Sequence, residues 1–69
     1  MNIRNIRQKK GMLQTELADK VGVTQGMVSL WETGYCSPSL SSAQKLAEVL
    51  DCTIDELIEK PQEEEQHAL

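Results

Sequence analysis

Positions 25, 26, 29, 30 and 33 hold glutamine, glycine, serine, leucine and threonine, a set with no formal charge. At about 100° of turn per residue, Gly26, Ser29, Leu30 and Thr33 share one side of a helix, and Gln25 flanks that side at its amino-terminal end. Their chemistry is that of reading an edge rather than breaking a bond. A glutamine amide can pair with N6 and N7 of adenine, a serine hydroxyl can donate or accept at a base or phosphate, and leucine can touch a thymine methyl group. Glycine costs about 1 kcal/mol against alanine in a helix interior, yet it lets the backbone come close to another surface. A merely solvated face would more often carry lysine and glutamate. The plainer alternative is that Gly26 is incidental and that Leu30 contacts a neighbouring segment.

Bond-breaking chemistry has few candidates. The single histidine, His67, lies in an acidic stretch near the carboxyl end, and Cys36 and Cys52 are too few for a tetrahedral zinc site without histidine help. Both cysteines are expected as free thiols, with Cys52 packing as a small apolar residue. There is no glycine-rich phosphate loop and no metal-ligand spacing. No enzymatic activity, cofactor or metal is expected.

The net charge of −4 argues against a phosphate-rich partner, but the average hides a gradient. Residues 1–35 carry five cations against three acids, and residues 36–69 carry two against eight. The first half suits a polyanion and the second does not.

The elements that must hold the uncharged face are short helices, and no segment alternates as a half-buried strand would. The first covers about Ile3 to Lys10, with Ile3 and Ile6 on one face and Gly11 as a left-handed stop. The second runs from about Gln14 to Val21 with Leu17, Ala18 and Val21 apolar, and Gly22 closes it. Thr24 caps the third, which runs to about Thr33 before Gly34 and turns Val28 and Trp31 inward. Ser39 caps the fourth, whose buried stripe is Leu40, Ala43, Leu46, Ala47 and Leu50. The fifth opens with "TIDE", a capping box between Thr53 and Glu56, and carries Ile54, Leu57 and Ile58. An all-α, five-helix domain over residues 1–60 is expected, followed by an acidic, disordered tail over 61–69. Without a membrane-length apolar run or a signal peptide, the expected location is the cytoplasm.

The stretch "LQTELADKVGVTQGMVSLWETG" resembles the helix-turn-helix of phage repressors and Cro proteins, the XRE or lambda-repressor-like family. The resemblance rests on Gln14, the pair Leu17 and Ala18, the turn Gly22 and Val23, and the run Val28, Trp31, Glu32 and Gly34. "PSL" before the fourth helix and "TIDELI" in the fifth extend it from about Ile3 to Ile58. It implies a transcriptional regulator, a repressor by expectation, that binds double-stranded DNA as a homodimer on an inverted repeat with the third helix in the major groove. The residue matching Gln14 would hold a phosphate, that matching Gln25 would read a base, and those matching Gly26, Ser29 and Leu30 would form the specificity surface. The segment from Thr33 to Ser39, including Tyr35, would follow the sugar-phosphate backbone, and Thr24 would join the interface. Arg7 and Glu32 match positions that form an ion pair in similar proteins, so they are expected in a structural role.

Departures from the family pattern bear on strength. Leu13 stands where serine or threonine is usual and cannot cap the second helix, a loss of about 1 kcal/mol. After Gly34, where lysine or arginine is common, stand Tyr35, Cys36 and Ser37, so fewer counterions are released and salt dependence is shallower. Asp51 stands where glycine often ends the fourth helix. Lys9 and Lys10 either approach the DNA backbone or favour a solvated helix end. Met27 is expected to pack inward. The competing function is a protein-interaction module on the same fold, including antitoxin-like partner binding, which the acidic second half would favour.

Overall fold

The computed structural model describes residues 1–58, which form five helices and no strand: α1 (Ile3–Lys9), α2 (Gln14–Val21), α3 (Gln25–Thr33), α4 (Leu40–Leu50) and α5 (Ile54–Ile58). Where the chain bends is decided by its helix ends. After each of the first four helices one residue takes a left-handed conformation: Gly11, Gly22, Gly34 and Asp51. The next amide then reaches back five residues, from Met12 to Arg7, Val23 to Ala18, Tyr35 to Leu30 and Cys52 to Ala47, at 2.9–3.1 Å. This loop-back satisfies carbonyls that the helix end would leave orphaned. Asp51 does so at φ 54°, where a Cβ carries a steric cost that glycine escapes.

The amino-terminal ends are fastened by side chains. Thr24 Oγ1 accepts from the Met27 amide at 3.1 Å, and Ser39 Oγ accepts from Ser42 at 3.2 Å. Thr53 and Glu56 exchange hydrogen bonds at 2.9 and 3.0 Å, the reciprocal box expected from "TIDE". At α2 only half of such a box forms. Glu16 accepts from the Leu13 amide at 2.9 Å, and Leu13 offers nothing in return.

All five helices contribute to one core. Ile3, Leu17, Val28, Leu46, Leu50 and Leu57 are fully buried, with Ala18, Trp31 and Ala43 packed among them. Each of those aliphatic side chains contributes about 1.5–3 kcal/mol by leaving water. The amide of Asn2 donates to the Leu57 carbonyl at 2.8 Å, which brings the start of α1 onto α5. Cys36 and Cys52 are free, half-buried and packed against this core.

Apolar positions on α1, α4 and α5 depart from the expected pattern. Leu40 is 70% exposed and Ile58 is 53% exposed, although the helical period puts both on buried stripes. They stand at helix ends, where an apolar residue is covered only if a neighbouring element reaches that far. Ile6 is half-buried rather than a core residue. No helix among the described residues is long and apolar enough to cross a membrane. The acidic stretch 61–69, expected as a disordered tail, lies outside the described residues.

Candidate nucleic-acid interface

α2 and α3 are joined by the turn Gly22 to Thr24, and α3 is anchored from behind by Val28 and Trp31, which are 0% and 3% exposed. The buried stripe turns the opposite side outward. Gln25, Gly26, Leu30 and Thr33 are exposed there, and Tyr35 beyond the helix end is 84% exposed. Ser29 is half-buried rather than fully open, since its two-atom side chain reaches less far out than glutamine or leucine. Met27, expected inward, is exposed on the flank because it stands one residue off the buried stripe.

The hydroxyls on this surface are partly committed. Thr24 is exposed, and its oxygen accepts the capping bond while its proton stays free to donate. Thr33 donates its hydroxyl proton to the Leu30 carbonyl at 3.2 Å, so it offers lone pairs outward.

Behind Gln25 stands a chain of polar side chains that the helical period alone does not reveal. Gln25 Nε2 donates to Gln14 Oε1 at 3.2 Å, and Gln14 Nε2 donates to Glu32 Oε1 at 2.9 Å. Glu32 receives Arg7 through Nε at 2.6 Å and Nη2 at 3.2 Å, and Arg4 through Nε at 3.4 Å. The remaining Arg7 amino group donates to the Met12 carbonyl at 2.7 Å. The Glu32 side chain is 0% exposed and that of Arg7 only 10%. The expected Arg7–Glu32 pair is therefore present, and it braces α1 against α3 beneath half-buried Gln14 and exposed Gln25.

Burial of the Glu32 carboxyl pushes its pKa up, but the hydrogen bonds from Arg7 and Gln14, the Arg7 charge and the bond from Arg4 outweigh burial and hold it below the ordinary 4.5. The group is ionised at neutral pH. No buried side-chain nitrogen or oxygen among the described residues lacks a partner.

Arg4 is the member of this cluster that sequence reasoning missed. The signal was its spacing of three from Arg7, which puts both cations on one side of α1. Beside the cluster, a shallow cleft of about 440 Å³ is lined by Arg7, Leu13, Gln14, Thr15 and Gln25. It opens at the amino-terminal end of α2, where amides and helix dipole favour an anion. Lys9 and Lys10 instead line a second cleft with Asn2, Asp51, Cys52 and Glu56.

Residues 3–57 match the family model described as helix-turn-helix. An uncharacterized HTH-type transcriptional regulator of Archaeoglobus fulgidus is 46% identical over 55 residues, covering 80% of this chain and 79% of that protein. The HTH-type transcriptional regulator AnsR of Bacillus subtilis is 34% identical over 56 residues, and the match spans 48% of AnsR. Among solved structures, the N-terminal DNA-binding domain of SinR from Bacillus subtilis superposes with a TM-score of 0.76 at 31% identity, covering 87% of this chain and 88% of that one.

Proposed function

This chain belongs to the helix-turn-helix family, and from that premise we propose that it is a sequence-specific DNA-binding regulator of transcription, acting in the cytoplasm as a repressor. One observation carries the reading: the uncharged outer side of α3 is open while Val28 and Trp31 hold its back. A helix so mounted fits the major groove, about 12 Å wide. Gln25 reads a base, and Gly26, Ser29 and Leu30 lie against neighbouring base edges. Gln14 and the cleft beside it receive a phosphate, with Thr24, Thr33 and Tyr35 along the backbone.

Two copies bound to an inverted repeat supply what one small module lacks in buried surface, with half-sites about one helical turn apart. The reading assigns the chain no catalytic step.

A second reading, a partner-binding module on the same fold, is favoured by the net charge of −4 and the absence of a cation from Gly34 to Leu40. The two separate in one titration of the protein against DNA from upstream of its own gene at two salt concentrations, with Gln25→Ala alongside. A regulator binds a discrete site, binds it more weakly at higher salt, and changes base preference in the variant. Binding that is absent, or that ignores both sequence and salt, overturns the DNA reading and leaves the module.

A further inference from the structure

Gly26 and Leu30 stand one helical turn apart on the outer side of α3, so their Cβ positions are neighbours. A helical side chain leans toward the turn before it, and Leu30 therefore lies over the turn that bears Gly26. Where a Cβ of residue 26 would stand there is room. Apart from its two chain neighbours and the helix backbone, the one atom within 4 Å among the described residues is Thr24 Oγ1, at 3.9 Å. The result is a recess the size of a methyl group, floored by backbone, with leucine on its carboxyl-terminal side and threonine on its amino-terminal side. Leu30 is 37% exposed and so keeps apolar surface facing out. No formal charge of the helix lies open beside it, since the one charged residue of α3 is Glu32, whose side chain is 0% exposed.

In the major groove the group that fits such a recess is the methyl on C5 of a pyrimidine. Thymine always carries it, and cytosine carries it only when the DNA has been methylated. The two bases otherwise differ at position 4, where thymine accepts through O4 and cytosine donates through N4. A side chain of fixed polarity would tell them apart there. Ser29, the polar neighbour on this side of the helix, has a hydroxyl that both donates and accepts, so it tolerates either base. What the surface discriminates is the methyl rather than the pyrimidine that bears it.

We infer that Gly26 and Leu30 form a methyl-reading pair, which makes the chain bind a C5-methylated pyrimidine, thymine or 5-methylcytosine, more tightly than uracil or unmodified cytosine at one position of its site. This rests on the reading of α3 as the helix that enters the groove. The consequence is regulatory: where that position is a cytosine, methylation of the DNA strengthens binding with no change of sequence.

The test begins with the site that the full chain selects from randomised double-stranded DNA. Each pyrimidine of that site is then varied in synthetic duplexes as two pairs that differ only by a methyl group, thymine against uracil opposite adenine, and 5-methylcytosine against cytosine opposite guanine. Affinities are read by fluorescence anisotropy. At the pyrimidine that meets the recess, loss of the methyl weakens binding by the wild type roughly fourfold in both pairs, the worth of one buried methyl-sized group. Leu30→Ala removes the wall and Gly26→Ala fills the recess, so in each variant the two members of a pair bind alike. Both residues are exposed, and circular dichroism checks that each variant is folded. A wild type indifferent to the methyl at every pyrimidine overturns the inference. So does a methyl effect confined to one of the two pairs, or one that survives in either folded variant. In each of these cases a selected sequence still stands, and with it the reading of α3. A chain that selects no sequence overturns that reading as well.

Discussion

Nε of Arg7 lies 2.6 Å from Oε2 of Glu32, a contact between α1 and α3 in which the carboxylate side chain is completely covered. Removing the cation strands a buried charge, which in general costs about 3–5 kcal/mol, although Arg4 and Gln14 still face the carboxylate and keep the loss near the lower figure. Arg7→Ala should therefore lower the melting temperature by more than about 10 °C, given the roughly 4–8 °C per kcal/mol of a domain this small. Thermal unfolding followed by circular dichroism reads this directly. An unchanged midpoint would mean that the pair is not structural.

The same carboxylate makes stability depend on acid. Its folded pKa lies below the ordinary 4.5, so its contribution is fully present above 4.5 and is lost as pH falls through the lower folded value. Melting temperatures of the wild type should exceed those of Glu32→Gln at neutral pH, and the gap should close on acidification below about pH 4.5. A gap that stays constant from pH 7 down to pH 3 would contradict the assignment of Glu32 as the charged centre of the cluster.

The first turn of α2 offers a stabilising change. Leu13 is 63% exposed and its amide already donates to Glu16, so a hydroxyl at position 13 would complete the reciprocal box without emptying the core. Leu13→Ser should gain about 1 kcal/mol, or several degrees in the midpoint. No gain in the midpoint would show that the half box already holds that turn.

Much of this architecture is visible in the residues themselves, because caps and periodicity are local. Thr24, Ser39 and the Thr53–Glu56 pair mark helix starts wherever they occur, and Leu17, Val28, Leu46 and Leu50 fall on the buried side of whichever helix bears them. Local rules fail where burial depends on the length of a distant neighbour, hence exposed Leu40, and where a flank is open, hence exposed Met27. The relay from Glu32 to Gln14 spans 18 positions, and that to Gln25 another 11. No helical period connects them, since they meet only once α2 and α3 have packed. Glu32 nevertheless stands out in the sequence, as an acid beside the inward-facing Trp31 in the half of the chain suited to a polyanion.

Gly26 offers the sharpest separation of stability from recognition. A methyl group there would meet only Thr24 Oγ1 at 3.9 Å, an ordinary contact, and its φ is not among the left-handed ones. Nothing in the folded chain demands glycine at this position. Gly26→Ala should raise stability by about 1 kcal/mol, the usual difference in helix propensity. If the glycine is kept because bases approach that backbone, the added methyl stands between them, and affinity for the selected site should fall roughly tenfold, the equivalent of about 1.4 kcal/mol. Paired melting and binding curves decide between the two origins of the residue. A variant that is more stable and binds equally well would show that glycine at 26 is incidental, and it would narrow the reading surface of α3 to Gln25, Ser29 and Leu30.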